Sequence, residues 1–189
     1  MARVRQNATY DDLVKVPDIM VAELIEGELY AWPRPRAPHS RTASRLGMIL
    51  GPPYEIGNGG PGGWWIVDEP ELHLNRNVVV PDLGGWRRER MPEYPDTSGC
   101  EIAPDWACEI LSPSTARVDR VKKLPIYARA EVAWVWIIDP VEQTLEVKRL
   151  TNGQYPDAAL HGGDEKVRVE PFTEIEIDLG LIWGSTPTE

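Results

Sequence analysis

Apolar residues recur along the chain with two different spacings, and each spacing predicts a different kind of element. In residues 21–30 they alternate with polar residues on both sides of Glu26 and Gly27, which predicts a β-hairpin closed by a tight turn. In residues 39–50 they recur at helical spacing, which predicts a helix with one apolar face. A shorter helix is expected at residues 9–15, where Thr9 can cap the first turn.

Short apolar segments bounded by glycine, proline and asparagine predict most of the remaining strands. We expect these strands at residues 64–67, 71–74, 78–82, 105–111, 134–139, 144–150 and 166–169. The residues between 82 and 105 are rich in arginine, proline and glycine and are expected to form a loop. A long helix is expected at residues 116–130, and Pro125 predicts a kink or a restart within it.

Strands outnumber helices in this order, and the long helix connects two of the central strands. The pattern is typical of the mixed α/β (α+β) class, in which a mixed β-sheet is flanked by helices. A chain of 189 residues without an internal repeat or a low-complexity segment is expected to form one domain, residues 1–189.

Composition narrows the class of protein. The apolar fraction of 42% and the charged fraction of 26% are typical of a globular protein in water. The longest apolar run, residues 132–138, is too short for a bilayer, and no apolar segment of a signal peptide follows the N-terminus. We therefore expect a cytoplasmic protein without a membrane partner. Cys100 and Cys108 lack the spacing of a disulfide framework or a zinc site, so they are expected to be buried thiols.

The net charge of −10 argues against a nucleic-acid partner, because binding to a phosphate backbone depends on cationic contacts. The cations are nevertheless grouped into three basic clusters, which could form one basic face on an acidic body. The clusters are Arg34, Arg36, Arg41 and Arg45; Arg87, Arg88 and Arg90; and Arg117, Arg120, Lys122 and Lys123. The sequence leaves open whether these side chains are ordinary solvated charges.

Two carboxylates stand out by their position in apolar strands. Asp82 ends an apolar segment, and Glu109 lies within an apolar strand, on the same face as Ala107. A carboxylate in such a setting is costly unless it is paired, binds a metal or faces a pocket. Two of them on separate strands predict a shared site for a hard cation such as Mg²⁺, which would polarise a phosphate and activate a water molecule. Capping or surface roles are the alternative.

A positive side chain near this site would offset the charge that develops on a phosphate under attack. The candidates lie on the long predicted helix. Lys123 and Tyr127 are four residues apart there, and an α-helix would place Arg120 on the same face.

Several segments together resemble the Uma-two family of restriction-endonuclease-like proteins, which belong to the PD-(D/E)XK nuclease superfamily. The matching segments occur in the order of the family and extend from about residue 7 to residue 183. They are Glu23-Leu-Ile-Glu-Gly-Glu-Leu, Pro38-His39, Val80-Pro-Asp82, Pro104-Asp-Trp-Ala-Cys-Glu109-Ile-Leu-Ser-Pro-Ser-Thr, Asp119-Arg-Val-Lys-Lys123-Leu-Pro-Ile-Tyr127 and Val132-Ala-Trp-Val-Trp-Ile-Ile-Asp-Pro. The segment Glu-Ile-Leu-Ser-Pro-Ser-Thr followed by Asp-Arg and Lys-x-x-x-Tyr is the most specific combination.

The resemblance implies a restriction-endonuclease-like core and a Mg²⁺-dependent endonuclease that cuts DNA, with Mn²⁺ as a substitute for Mg²⁺. It implies that Asp82 and Glu109 are the side-chain ligands of the metal and that the main-chain carbonyl of Ile110 completes the site.

The lysine of the superfamily would stand two residues after the glutamate, where this chain has Leu111. In the Uma-two relatives this lysine has moved to the following helix. The resemblance therefore implies Lys123 as the catalytic lysine, with Lys122 as the alternative if the register differs by one residue.

Three further residues acquire roles in this way. Glu23 corresponds to an early glutamate near the metal, although a hairpin glutamate is usually exposed. His39 corresponds to a histidine at the start of the second helix, where it would contact a nucleic-acid phosphate or cap the helix. Arg120 is expected to contact the nucleic acid as well. Relatives with this fold usually pair, so a homodimer is expected.

Two other classes of function stay open. The net negative charge would also suit a nuclease-like module that binds DNA or a protein and cuts nothing. A small-molecule hydrolase built on Ser112 or Cys108 is the remaining alternative.

Overall fold

Strands and helices alternate along the computed structural model, which describes residues 3–34, 37–156 and 158–184. The strands are β1 (Arg3–Gln6), β2 (Met20–Ile25), β3 (Glu28–Pro33), β4 (Trp64–Asp68), β5 (Leu72–Leu74), β6 (Asn77–Val79), β7 (Leu83–Arg87), β8 (Trp106–Ile110), β9 (Trp134–Asp139), β10 (Thr144–Arg149), β11 (Ala158–Gly162), β12 (Lys166–Val169) and β13 (Phe172–Asp178). The helices are α1 (Tyr10–Leu13), α2 (Ala37–Leu50), α3 (Ala116–Val118), α4 (Leu124–Arg129) and α5 (Leu179–Trp183), with π-helical segments at Gly51–Ile56 and Asp119–Lys123.

Two large sheets organise these elements. One has six strands in the order β11-β10-β9-β8-β7-β4, the other has five in the order β1-β3-β2-β6-β5, and β12 pairs with β13 separately. Within the six-stranded sheet only β8 and β9 run parallel, and the helical segments between residues 116 and 129 form their crossover. A parallel pair requires such a connection. The prediction of a mixed sheet flanked by helices is confirmed.

The predicted hairpin and the second helix are confirmed. β2 and β3 pair across Glu26 and Gly27, whose φ angles of 52° and 81° are those of a tight hairpin turn. α2 begins two residues before the expected start, and its apolar face buries Leu46 and Leu50 completely. The N-terminal helix is also present, with the main-chain N–H and the hydroxyl of Thr9 both donating to the Asp12 carboxylate.

The prediction of a loop directly after residue 82 is wrong. β7 occupies the first part of that segment and pairs with both β4 and β8. Its sequence, Leu-Gly-Gly-Trp-Arg, disfavours a strand because glycine weakens strands. Here the glycines are needed for close packing. A Cβ added at Gly85 would lie 3.0 Å from the Trp106 ring, and one at Gly84 would lie 2.9 Å from Pro70. The sequence also failed to predict β1, β11, β13 and α5.

Residues 116–129 form one helical run with a π-helical middle, rather than an α-helix kinked at Pro125. Asp119–Lys123 is the π-helical segment, and α4 follows it with Pro125 in its first turn. Because proline has no N–H to donate to the preceding turn, a helical run cannot stay regular just before it. The irregularity expected from the proline is therefore real, but it lies just before the proline.

The two faces of the six-stranded sheet carry the two main apolar clusters. Trp106, Cys108 and Ile110 of β8 pack on one face, whereas Ala107 and Leu111 belong to the other. This is the alternation expected for the strand, and it directs Glu109 to the side of Ala107. Both cysteines are buried free thiols, as predicted. Among the described residues, no helix is long and apolar enough to cross a membrane.

Candidate metal centre

Asp82 and Glu109 come from separate segments that meet at the end of β8. β6 ends at Val79, and Pro81 cannot continue the ladder, so the chain leaves the sheet at Asp82. The Oδ2 atom of Asp82 then accepts a hydrogen bond of 2.6 Å from the main-chain N–H of Ile110. This bond joins the two segments directly beside Glu109, which is 2% exposed.

The ammonium of Lys123 lies between two buried carboxylates. Its Nζ atom is 2.7 Å from Oε1 and 2.9 Å from Oε2 of Glu109, and 2.9 Å from Oε1 of Glu23. It also donates to the carbonyl of Val80 at 3.0 Å, and the N–H of Val80 donates to Glu23 at 2.7 Å. Glu23, for which the sequence left open a place near the metal or an exposed place in the hairpin, is buried and part of this network.

The two adjacent lysines have different environments, and only one of them is at the centre. Lys122 Nζ pairs with Glu28 Oε2 at 2.6 Å and lies over the ring of Tyr30, on the outer side of the hairpin. Lys123 is 2% exposed. The geometry therefore favours Lys123 over Lys122 as the positive group beside Glu109.

Arg120 is not brought to the centre, although an α-helix would place it on the face of Lys123. Its guanidinium binds both carboxylate oxygens of Glu146 on β10, and the side chain is exposed. The reason is the π-helical segment, whose wider turn advances each residue by a smaller angle than an α-helix does. Asp119 takes the inner position instead, with Oδ1 3.8 Å from the Lys123 ammonium.

The sequence analysis assigned no role to two residues that contact Glu109 or Lys123. The hydroxyl of Tyr127 donates to Oε1 of Glu109, and the ring is fully buried. Asp119 lines the same cleft and is 4% exposed. Both residues belong to the segment that matched the family. The spacing of Asp119 and Tyr127, each four residues from Lys123, was the available signal for a contact with that lysine or its partners.

Burial dominates the electrostatics of these groups. It raises the pKa of Glu109 well above its usual value, and Lys123 only partly opposes this. It also raises the pKa of Asp119, again against the attraction of Lys123, to about 7. Burial by itself would lower the pKa of Lys123, but Glu109 and Glu23 raise it well above its usual value. Lys123 is therefore positively charged. Its single charge lies among three acidic side chains, those of Glu23, Glu109 and Asp119.

His39 lies near Asp82 rather than at the mouth of the cleft. Its Nε2 atom is 3.2 Å from Oδ1 of Asp82, and the residue is 9% exposed. Burial alone would lower its pKa, but Asp82 and a hydrogen bond to the Ile110 main chain outweigh burial and raise it. The position is not that of a helix cap exposed to solvent.

These groups line one cleft of about 590 Å³. Of its described lining residues, five are carboxylic acids, and two, Arg34 and Lys123, are permanent cations. The acids are Glu23, Glu69, Asp82, Glu109 and Asp119. Arg34 is itself paired with Glu69 at 3.1 Å. The cleft is thus rich in oxygen donors and short of positive charge.

The donor set fits a hard divalent cation. Oδ1 of Asp82, the carboxylate of Glu109 and the carbonyl of Ile110 are oxygen donors of the kind that Mg²⁺ prefers. The excess of acids supplies the negative charge such an ion would balance. As placed, no three His, Cys, Asp or Glu side chains of residues 3–34, 37–156 and 158–184 form a metal-binding group. The donor set expected from the sequence has only two carboxylate side chains, with a main-chain carbonyl as its third donor.

The basic clusters make mostly internal contacts. In the first, Arg34 pairs with Glu69 and Arg45 donates to the Leu181 carbonyl, while Arg36 lies outside the described residues. In the second, Arg88 donates to the carbonyls of Trp64 and Glu55, and Arg90 binds Asp105. In the third, Arg120 and Lys122 are paired as described above. Most of the described side chains of the three clusters therefore already bind an acid or a main-chain carbonyl of the chain.

Comparison with known proteins gives the family of the chain. The family model Uma2, described as "Putative restriction endonuclease", matches residues 8–181. The chain belongs to the Uma2 family. The matched range contains every residue of the Uma2 centre described above, from Glu23 to Tyr127.

A solved structure has the same fold as this Uma2 chain. It is a "putative nuclease belonging to DUF820" from Anabaena variabilis ATCC 29413, with 24% sequence identity and a TM-score of 0.71. The match covers 93% of this chain and 97% of the other. Among curated proteins, none matches the chain. The prediction of the family and that of a restriction-endonuclease-like fold are confirmed.

Proposed function

We propose that this chain is a Mg²⁺-dependent endonuclease that hydrolyses phosphodiester bonds of DNA. The observation that supports this most strongly is the convergence of Asp82, Glu109 and Lys123 at one cleft, although they come from three separate elements. Membership of the Uma2 family and the nuclease-like fold agree with the same activity.

Asp82, Glu109 and the carbonyl of Ile110 would hold the metal ion, and Mn²⁺ could replace Mg²⁺ there. When bound, the ion supplies Lewis-acid polarisation of the phosphate and lowers the pKa of a water molecule. The hydroxyl of Tyr127 and the ammonium of Lys123 hold the Glu109 carboxylate in a fixed orientation. Partners of this kind outside the ligand set keep ligands in place and strengthen metal binding.

Lys123 would stabilise the negative charge that builds up on the phosphate during attack by water. Glu23 and the carbonyl of Val80 hold its ammonium, so the charge is positioned before the substrate arrives. Such preorganisation is effective because little reorganisation is needed during the reaction. Glu23 therefore acts in this proposal as a positioning residue for the lysine.

The test is nicking of supercoiled plasmid DNA in the presence of Mg²⁺ and in the presence of EDTA. Asp82→Asn and Glu109→Gln should each abolish Mg²⁺-dependent nicking while the circular dichroism spectrum stays that of the wild type. Asp11→Asn, a change to an exposed carboxylate far from the cleft, is the matched control. Nicking by both cleft variants at the wild-type rate would refute the proposal.

A second function is a nuclease-fold module that binds DNA or a protein partner without cutting. It is favoured by the net charge of −10 and by the internal contacts of the basic clusters. Calorimetry separates the two functions. Heat of Mg²⁺ or Mn²⁺ binding that disappears in Asp82→Asn supports the endonuclease, whereas the absence of metal binding at millimolar concentration supports the module.

Location in the cytoplasm and assembly as a homodimer stay predictions. A second copy would offer additional basic surface for the nucleic acid. A single chain with a net charge of −10 has little such surface. Sedimentation analysis of the purified protein would test the dimer.

A further inference from the structure

We propose that the cleft takes an unpaired segment of a DNA strand, and that exposed apolar residues at its mouth contact the bases of that segment. The inference rests on the proposed endonuclease and names its substrate class. That class is single-stranded DNA, or a locally unpaired site in a duplex, rather than regular double-stranded DNA.

The charged groups of the proposed reaction lie at the bottom of the cleft. Glu109 and Lys123 are each 2% exposed and Glu23 is 3% exposed, although all three line the cleft. A phosphate must therefore enter the cleft to reach them. Regular double-stranded DNA is stiff, with a persistence length of about 50 nm, so enzymes that act in a recess use a single strand or extrude a nucleotide from the duplex. The volume of about 590 Å³ is that of a site that encloses a small organic ligand, such as one nucleotide.

The mouth of the cleft is apolar. Val141 is 77% exposed there, although its side chain is aliphatic. Exposed apolar residues that gather around one opening indicate a binding site, whereas residues scattered singly do not. Four such residues, each from a different segment, form what we call the apolar rim: Pro33 at the end of β3, Pro38 in the first turn of α2, Pro113 in the turn after β8, and Val141 in the turn between β9 and β10.

Cations at the cleft are too few for the usual contacts with a duplex. Among the described lining residues, Arg34 is the exposed permanent cation, and it pairs with Glu69 at 3.1 Å. Proteins that bind regular double-stranded DNA need several cationic contacts with phosphates, because release of counterions supplies most of the non-specific affinity. The cleft instead offers one buried ammonium, that of Lys123, for a single phosphate.

The apolar rim fits the bases of an unpaired strand. In a duplex the faces of the bases are covered by their stacked neighbours, so a side chain outside the helix does not reach them. In a single strand these faces are free, and proteins bind them with apolar and aromatic side chains. The rim and the buried lysine therefore supply one contact for the bases and one for the phosphate of the same strand.

Cleavage of matched oligonucleotides tests the substrate class. A fluorescently labelled strand of mixed sequence is incubated with the wild-type chain and Mg²⁺ or Mn²⁺, either alone or annealed to its complement. We expect the single strand to be cut at least about tenfold faster, because a paired nucleotide must first be unstacked. We also expect supercoiled plasmid to be nicked faster than the same plasmid after relaxation, since negative supercoiling favours unpaired sites.

Substitutions at Val141 test the apolar rim, because this exposed side chain can change without loss of the fold. Val141→Ser should raise KM for the single strand by about three- to tenfold, since an apolar side chain that covers a base is lost. Val141→Trp should lower KM by at least about fivefold, because a base can stack on the indole. Val14→Ser and Val14→Trp, at an exposed valine outside the cleft, are the matched controls and should behave as the wild type.

The outcomes separate this inference from the proposed function. Equal rates for the single strand and the duplex, or faster cutting of the duplex, overturn the substrate class and leave the endonuclease intact. A preference for the single strand that is accompanied by wild-type KM values in both Val141 variants overturns the role of the apolar rim. Cleavage of neither DNA by the wild-type chain, with Mg²⁺ or with Mn²⁺, overturns the endonuclease and the substrate class together.

Discussion

Replacing Lys123 by methionine should destabilise the protein far more than an ordinary lysine substitution. Methionine keeps most of the volume of the side chain but leaves Glu109 and Glu23 without the ammonium that lies 2.7 and 2.9 Å from them. Removing one member of a buried ion pair typically costs about 3–5 kcal/mol. Because proteins have unfolding free energies of about 5–15 kcal/mol, the variant should fold with much of its stability lost.

Lys122→Met is the matched control, because it removes a lysine from the adjacent position. Lys122 pairs with Glu28 where both side chains are partly exposed, and such pairs contribute about 0–1 kcal/mol. Urea denaturation followed by tryptophan fluorescence gives both free energies under the same conditions. The double variant Lys123→Met with Glu109→Gln should recover part of the loss, since it removes a carboxylate left without its partner.

The loss should also depend on pH in a defined direction. Burial raises the pKa of Glu109 above its usual value of 4.5, and removal of the ammonium raises it further. A carboxyl with a raised folded-state pKa stabilises the folded state at low pH, and this contribution is lost as the pH rises above the unfolded-state value. The deficit of Lys123→Met should therefore be larger at about pH 8 than at about pH 5. A deficit below about 1 kcal/mol at both values, equal to that of Lys122→Met, would refute the buried network.

Three further predictions concern neighbouring features. Asp119→Asn should stabilise the protein at about pH 8 by up to about 4 kcal/mol in urea denaturation, because a pKa of about 7 instead of 3.8 costs about 1.4 kcal/mol per unit on ionisation; a variant less stable than the wild type at that pH would contradict this. Tyr127→Phe should weaken Mn²⁺ binding by about 10–100-fold in calorimetry, because Glu109 loses the hydroxyl that orients it; unchanged affinity would show that the hydroxyl is not needed. Gly85→Ala should lower stability by about 1–3 kcal/mol, because the added Cβ would lie 3.0 Å from Trp106; an unchanged urea midpoint would show that the strands can separate at no cost.

The parts of the fold predicted from the sequence are those governed by local patterns. The hairpin around Gly27, the helix α2 and the strands β8 and β9 with a helix between them follow from alternation and helical spacing. β7 was missed because its two glycines are determined by contacts with Trp106 and Pro70 across the sheet. No local pattern contains those contacts.

The candidate centre was also predictable only where local patterns indicate its residues. The apolar strand around Glu109 and the proline before Asp82 indicated both carboxylates from the residues alone. The choice of Lys123 required the family resemblance, because the residues alone indicated only that the cation would come from the long helix, and the motif of the superfamily has its lysine at the position of Leu111. The four-residue spacing of Asp119 from Lys123 could have indicated its inner position, whereas the outward position of Arg120 depends on a π-helical turn, which a spacing of 3.6 residues cannot predict.

The π-helical segment Asp119–Lys123 also decides how tolerant this centre is to changes in chain length. When a catalytic lysine follows its glutamate on the same strand, the pleat keeps both on one face whatever happens in the neighbouring helix. Here the positive charge comes from another element, and the turn of helix that ends at Lys123 directs Lys123 inward and Lys122 outward. Deletion of a single residue from that turn would leave Asp82 and Glu109 in place and yet direct a different side chain at them.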